Sequence, residues 1–151
     1  MKEGGEVVLV DATNLVVKLC VDGMTAEGEG RYDDAQRLFA RAWATSTDDF
    51  ERCVAAHYFA RHQESPEQTL QWNREALTRA QAVGDDRVQG FFPSLYSNLA
   101  RSYEDLGQRE DALRHYDLAA AITGGLPTDG YGTMVRRGVS DGQRRTAVLE
   151  T

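Results

Sequence analysis

A pattern of glycine, alanine and aromatic residues recurs along this chain and restricts its folding more than any other feature. Residues 30–42 align without a gap on residues 107–119: Gly30, Ala35, Phe39 and Ala42 stand where Gly107, Ala112, Tyr116 and Ala119 stand. A degenerate copy over 64–76 keeps Ala76 and has Glu64, Thr69 and Asn73 in the other three places. The closing alanines fall at 42, 76 and 119, steps of 34 and then 43 residues. A unit repeated at such a period is one supersecondary element that buries its apolar side only by stacking on its neighbours.

The residue types fit a helical hairpin. Glycine adopts the positive φ of a tight turn at little cost, small alanines let two helices approach, and the aromatic fills the space between them. Each copy then needs an amphipathic segment upstream of its turn, and the sequence offers Asn14–Glu29, Asp49–Gln63 and Asp86–Leu106. In the last, Tyr96, Leu99, Ala100 and Tyr103 recur at helical spacing; in the first, Leu15, Leu19, Gly23 and Ala26 do so. The expected fold is all-α: three antiparallel helical hairpins and a short C-terminal capping helix. The nine extra residues of the longer step fall around 81–86, where extended helices are expected, with Gly84 ending one and Asp85 or Asp86 capping the next. Pro93 bends the following helix or marks its true start.

These residues resemble the tetratricopeptide repeat. The third copy fills every signature place: Tyr96, Leu99, Ala100, Tyr103, Gly107, Ala112, Tyr116 and Ala119. The first matches at Leu19, Gly23, Ala26, Gly30, Tyr32, Ala35, Phe39 and Ala42 but has Asp22 at an apolar place. The second has His57 at the small place, Thr69 at an alanine place and Asn73 at the aromatic one, so His57 and Asn73 are expected to form a buried polar pair. Residues 1–13 form a lead-in, 14–123 the hairpins (about 14–46, 49–84 and 86–123), and 124–151 a turn, capping helix and basic tail. Tyr131, Met134, Val135 and Val139 are expected on the capping helix's buried side.

Charge and composition exclude several classes. The net charge is -7, yet the last 21 residues carry Arg136, Arg137, Arg144 and Arg145 against Asp141 and Glu150. An acidic body disfavours nucleic-acid binding, and the basic tail is either solubilising or docks on an acidic surface of its own or another chain. The longest apolar run, Val7–Val10, is far short of the roughly 20 residues of a membrane span. Two cysteines, Cys20 and Cys53, without framework spacing suggest a reduced, cytoplasmic protein. Abundant Arg, Ala and Gly with two Lys suggest a bacterial coding bias.

No nucleophile elbow and no glycine-rich phosphate loop occurs. Cys53, His57 and His62 form the one cluster with metal-ligand character, and a metal-dependent enzyme built on them is the least favoured reading; no cofactor is expected. The resemblance implies instead a concave groove lined by the first helix of each hairpin. Carried onto this chain, its lining is Val17, Cys20, Met24 and Glu27, then Glu51, Val54, Tyr58, Arg61 and His62, then Ser94, Ser97, Arg101, Glu104 and Asp105. Met24, Tyr58, Arg61, His62, Ser97, Arg101 and Glu104 are the candidate binding residues. Arg61 and Arg101 either grip a partner's carboxylate or pair within the chain, Arg101 with Asp105 one turn on. The expected function is a non-catalytic scaffold for a protein or peptide partner; the alternative is a homodimeric regulator or sensor joined through Val7–Val10 and Phe91-Phe92.

Overall fold

The computed structural model describes residues 13–123, Leu126 and residues 129–147. All elements among them are helical. The chain divides into two compact units, with the boundary after Asp85.

The first unit contains α1 (Leu15–Gly28), α2 (Tyr32–Thr45), α3 (Asp49–Phe59) and α4 (Pro66–Val83), with a 3-10 turn, Ala60–His62, closing α3. Helices α1 and α2 form one hairpin, α3 and α4 the next, and α3 also packs on both helices of the first. The starts are written in the sequence. Asn14, Asp48 and Ser65 each accept a hydrogen bond from a backbone N–H three residues on, at 3.0, 2.8 and 3.2 Å, which satisfies one of the orphan donors of a helix start. At α3 and α4 the residue three beyond the cap reaches back: Glu51 accepts from the Thr47 N–H and Gln68 from the Glu64 N–H.

The second unit contains a 3-10 turn, Asp86–Phe91, then α5 (Phe92–Asp105), α6 (Arg109–Ile122) and α7 (Gly130–Ala147). The amphipathic segment expected over Asp86–Leu106 is therefore a 3-10 turn followed by α5, and of the two outcomes expected for Pro93 it marks the helix's true start. Pro93 lies in the first turn of α5, where its missing N–H costs nothing and its ring would clash with any earlier turn. The longer sequence step is taken up by this 3-10 turn and by α4, 18 residues long against 14 for α2 and α6; Gly84, at φ 69°, ends α4.

The turns of the first and third copies are geometrically the same. Gly30 and Gly107 both sit at φ 78°. Arg31 N–H donates to the Ala26 carbonyl at 2.8 Å, and Gln108 N–H to the Tyr103 carbonyl at 2.9 Å. This six-to-one bond across a left-handed glycine closes a helix and reverses the chain. The second copy has Glu64 in place of the glycine, and α3 winds down through its 3-10 turn instead.

The repeated small and aromatic residues meet as the pattern requires. Phe39 is fully buried, and a Cβ on Gly23 would lie 2.4 Å from its ring. Trp72 holds two edge-to-face contacts, with Trp43 at 4.8 Å and Phe59 at 4.9 Å between ring centroids, an arrangement favoured by the aromatic quadrupole.

Helix α7 packs on α5 and α6 as α3 packs on α1 and α2. Tyr58 of α3 stacks on Phe39 at 5.7 Å, and three residues later Arg61 reaches Glu27 of α1 at 2.7 Å. Gly142 of α7 lies against the ring of Tyr116, the counterpart of Phe39, and three residues later Arg145 reaches Glu104 of α5 at 2.7 Å. Glu27 and Glu104 each stand three residues before the turn glycine. Helix α7 thus takes in its unit the place that α3 takes on the first hairpin, and at 18 residues it is not short. Tyr131, Val135 and Val139 are buried with Ala119 and Leu126 as expected, but Met134 is 62% exposed and points outward. The arginines of the tail lie on α7 itself. Arg136 donates to the Thr123 and Leu126 carbonyls and Arg145 binds Glu104, so the basic segment docks on its own chain.

Candidate functional site

The candidate binding residues fall in both units. In the first, Glu27 near the end of α1 is the anchor. Its carboxylate accepts from Arg61 Nη1 and from His62 Nε2, both at 2.7 Å, and the His62 carbonyl accepts from the Gln36 side chain at 3.1 Å. The Arg61 guanidinium sits 4.7 Å from the centre of the Tyr58 ring, a cation–π distance. Glu27 and the ring therefore fix an arginine that remains 41% exposed. Met24 is half-buried beside it in sequence on the same helix.

Tyr58 itself is buried, as are Val17, Cys20 and Val54. These four, expected to line an open groove, lie in the core, and the Tyr58 ring is turned inward by its stack on Phe39. The accessible part of this site is the rim formed by Met24, Arg61 and the edge of His62. Burial raises the thiols of Cys20 and Cys53 to about 12, which leaves them protonated and weak as nucleophiles or metal ligands. His57 is buried beside Cys53, and desolvation holds its pKa down to about 3, so it is neutral. His62 is turned to Glu27. Among the described residues no three His, Cys, Asp or Glu side chains are grouped to hold a metal.

In the second unit Ser97 is half-buried on α5, and Arg101 is 65% exposed and paired with Asp105 at 3.1 Å. Glu104 accepts two hydrogen bonds from Arg145, at 2.7 and 3.0 Å, and one from Tyr116 Oη at 2.8 Å. These bonds, led by Arg145, hold its carboxyl below the usual range. Burial, with the Glu104 bond second, pushes the Tyr116 phenol up to about 12. Ser94 bonds the hydroxyl of Tyr131. Two places expected to face a ligand, Ser94 and Glu104, are thus engaged by α7. Both arginines carry an intramolecular partner, yet each keeps guanidinium surface toward solvent. Phe91, expected to offer apolar surface for a dimer, is 1% exposed; Val7–Val10 lie outside the described residues.

Sequence reasoning passed over Glu27 as an anchor, and Arg145 and Tyr131 as partners. The available signal was the recurrence of glutamate three residues before both turn glycines, which marks a place needing an acid in each copy.

Among the described residues no helix is long and apolar enough to cross a membrane. Residues 94–129 match the family profile described as tetratricopeptide repeat; the match covers α5, the turn at Gly107 and α6. No curated protein and no solved structure matches the chain.

Proposed function

We propose that this tetratricopeptide repeat protein is a non-catalytic scaffold that binds a protein or peptide partner rich in carboxylates through Arg61 and Arg101. The helical repeat supports a protein-interaction role in general, since stacked hairpins present extended surfaces and no reacting group of their own. The observation that carries the finer reading is the setting of Arg61. Its guanidinium is fixed by the Tyr58 face and Glu27 while two-fifths of the side chain stays in solvent. A pre-positioned planar donor loses little entropy on taking up a carboxylate. Arg101, in α5, is more exposed and supplies a second contact of the same chemistry.

Selection from a displayed random-peptide library tests this. Sequences enriched in Asp and Glu are expected on the wild-type protein, and the enrichment is lost on an Arg61→Glu, Arg101→Glu variant with an unchanged circular dichroism spectrum. Equal enrichment on both proteins would place binding elsewhere.

A further inference from the structure

We propose that the outward face of α7 is a self-association surface on which α7 of a second copy lies antiparallel, about a two-fold axis passing beside Gly138. The face is a shallow groove of about 540 Å³ that includes Met134, Arg137, Gly138 and Asp141. The equivalence of α7 with α3 shows what is missing from it. The places held by Met134, Gly138 and Asp141 are those of Phe50, Val54 and His57 in α3, all buried in a helix that packs against α4. No described residue supplies such a helix to α7.

Charge identifies the occupant. Arg136 and Arg145 are spent inward, on the carbonyls after α6 and on Glu104. Outward, Arg137 and Arg144 are balanced by Asp129 and Asp141, so two copies of an acidic protein meet least repulsion here. Arg137 makes no hydrogen bond or ion pair among the described residues. Asp141, one turn later on the same face, holds only the neighbouring Arg144. Arginine and aspartate four residues apart are self-complementary in an antiparallel pair: each Arg137 lies opposite the other copy's Asp141, twice by symmetry. The same register sets Met134 against the aliphatic stem of the second Arg144, which covers apolar surface well. Nothing lies within 4 Å of a Cβ placed on Gly138, so its own fold does not require a glycine there, whereas a helix crossing near the axis does.

One helix pair buries less than the roughly 1,200 Å² of a standard interface, so the dimer is weak, with a Kd on the order of 100 μM. Sedimentation equilibrium of the full chain from about 10 to 500 μM is expected to show a monomer–dimer equilibrium. Arg137→Glu, which places two like-charge pairs across the axis, raises the Kd about tenfold. Adding Asp141→Arg restores it, because the pairs are re-formed with their signs exchanged. Circular dichroism confirms folding of both variants. A monomer throughout the range overturns the proposal and leaves the face to a helix of another protein. A dimer whose Kd neither variant moves overturns it equally, because that dimer uses another surface.

Discussion

Gly23 and Gly142 are small for a reason that Gly138 does not share. A Cβ on Gly23 would meet the Phe39 ring at 2.4 Å, and one on Gly142 the Tyr116 ring at 2.3 Å; both rings are buried and held. Alanine at either place forces a ring out of position and is expected to cost about 1–3 kcal/mol. Gly138→Ala removes a helix-interior glycine into open space and should stabilise the dilute monomer by up to about 1 kcal/mol. Urea midpoints of the three variants test the contrast, and a loss of stability for Gly138→Ala would contradict the space seen around it. His57 supplies a second residue-level test. Its folded pKa lies below the ordinary 6.5, so as pH falls below 6.5 the unfolded chain takes up a proton that the folded chain refuses. Stability then declines with falling pH until the folded pKa near 3 is reached. Between pH 6.5 and 5, before carboxylates contribute, His57→Gln should flatten the dependence of the urea midpoint on pH. Asn73, buried and expected from the sequence to pair with His57, sets a companion expectation: on that pairing Asn73→Phe destabilises the fold and is tolerated better with His57→Ala, which vacates volume for the ring.

At the scale of the helix, an arginine one hairpin on donates to a first-helix glutamate in both units, Arg61 to Glu27 and Arg145 to Glu104, and adds to the packing of α3 and α7. Arg145→Ala removes both bonds to Glu104 and one to Tyr116. With Arg145 45% exposed, solvent screening limits the loss to about 1 kcal/mol, which thermal unfolding of the variant measures. The hairpins were legible because turn glycine, small contact and aromatic recur in fixed order. The register of α3 was not, since periodicity alone does not say whether Tyr58 stacks inward on Phe39 or lines a groove. The length of α7 was hidden for a different reason. Gly130, Gly132, Gly138 and Gly142 lower its intrinsic helix propensity, and packing of Tyr131, Val135 and Val139 overrides that. The outward turn of Met134 follows from the same packing, which commits the 131/135/139 stripe to the core and rotates its neighbour away.

For the whole chain, the division into two compact units leads to an expectation of unequal local stabilities. Hydrogen exchange followed by mass spectrometry is expected to show that Arg145→Ala speeds exchange in α5, α6 and α7 while α1 to α4 keep their protection. Uniform loss over all seven helices would mean that the chain opens as one cooperative body. The family profile matches residues 94–129, within the unit in which the pattern is fullest, and the first unit repeats the turn geometry with a weaker signature. What the sequence conveyed at this scale was architecture; the choice of partner depends on a few exposed side chains that architecture leaves unconstrained.

The aromatic trio of Trp43, Phe59 and Trp72 has a spectroscopic consequence. The chain has two tryptophans, both in the first unit and in mutual contact. Tryptophan emission therefore reads the melting of α1 to α4 alone, while far-ultraviolet ellipticity sums the helices of both units. Superimposable curves from the two signals would show a single transition, and an offset between them would give the difference in stability of the two halves without any label.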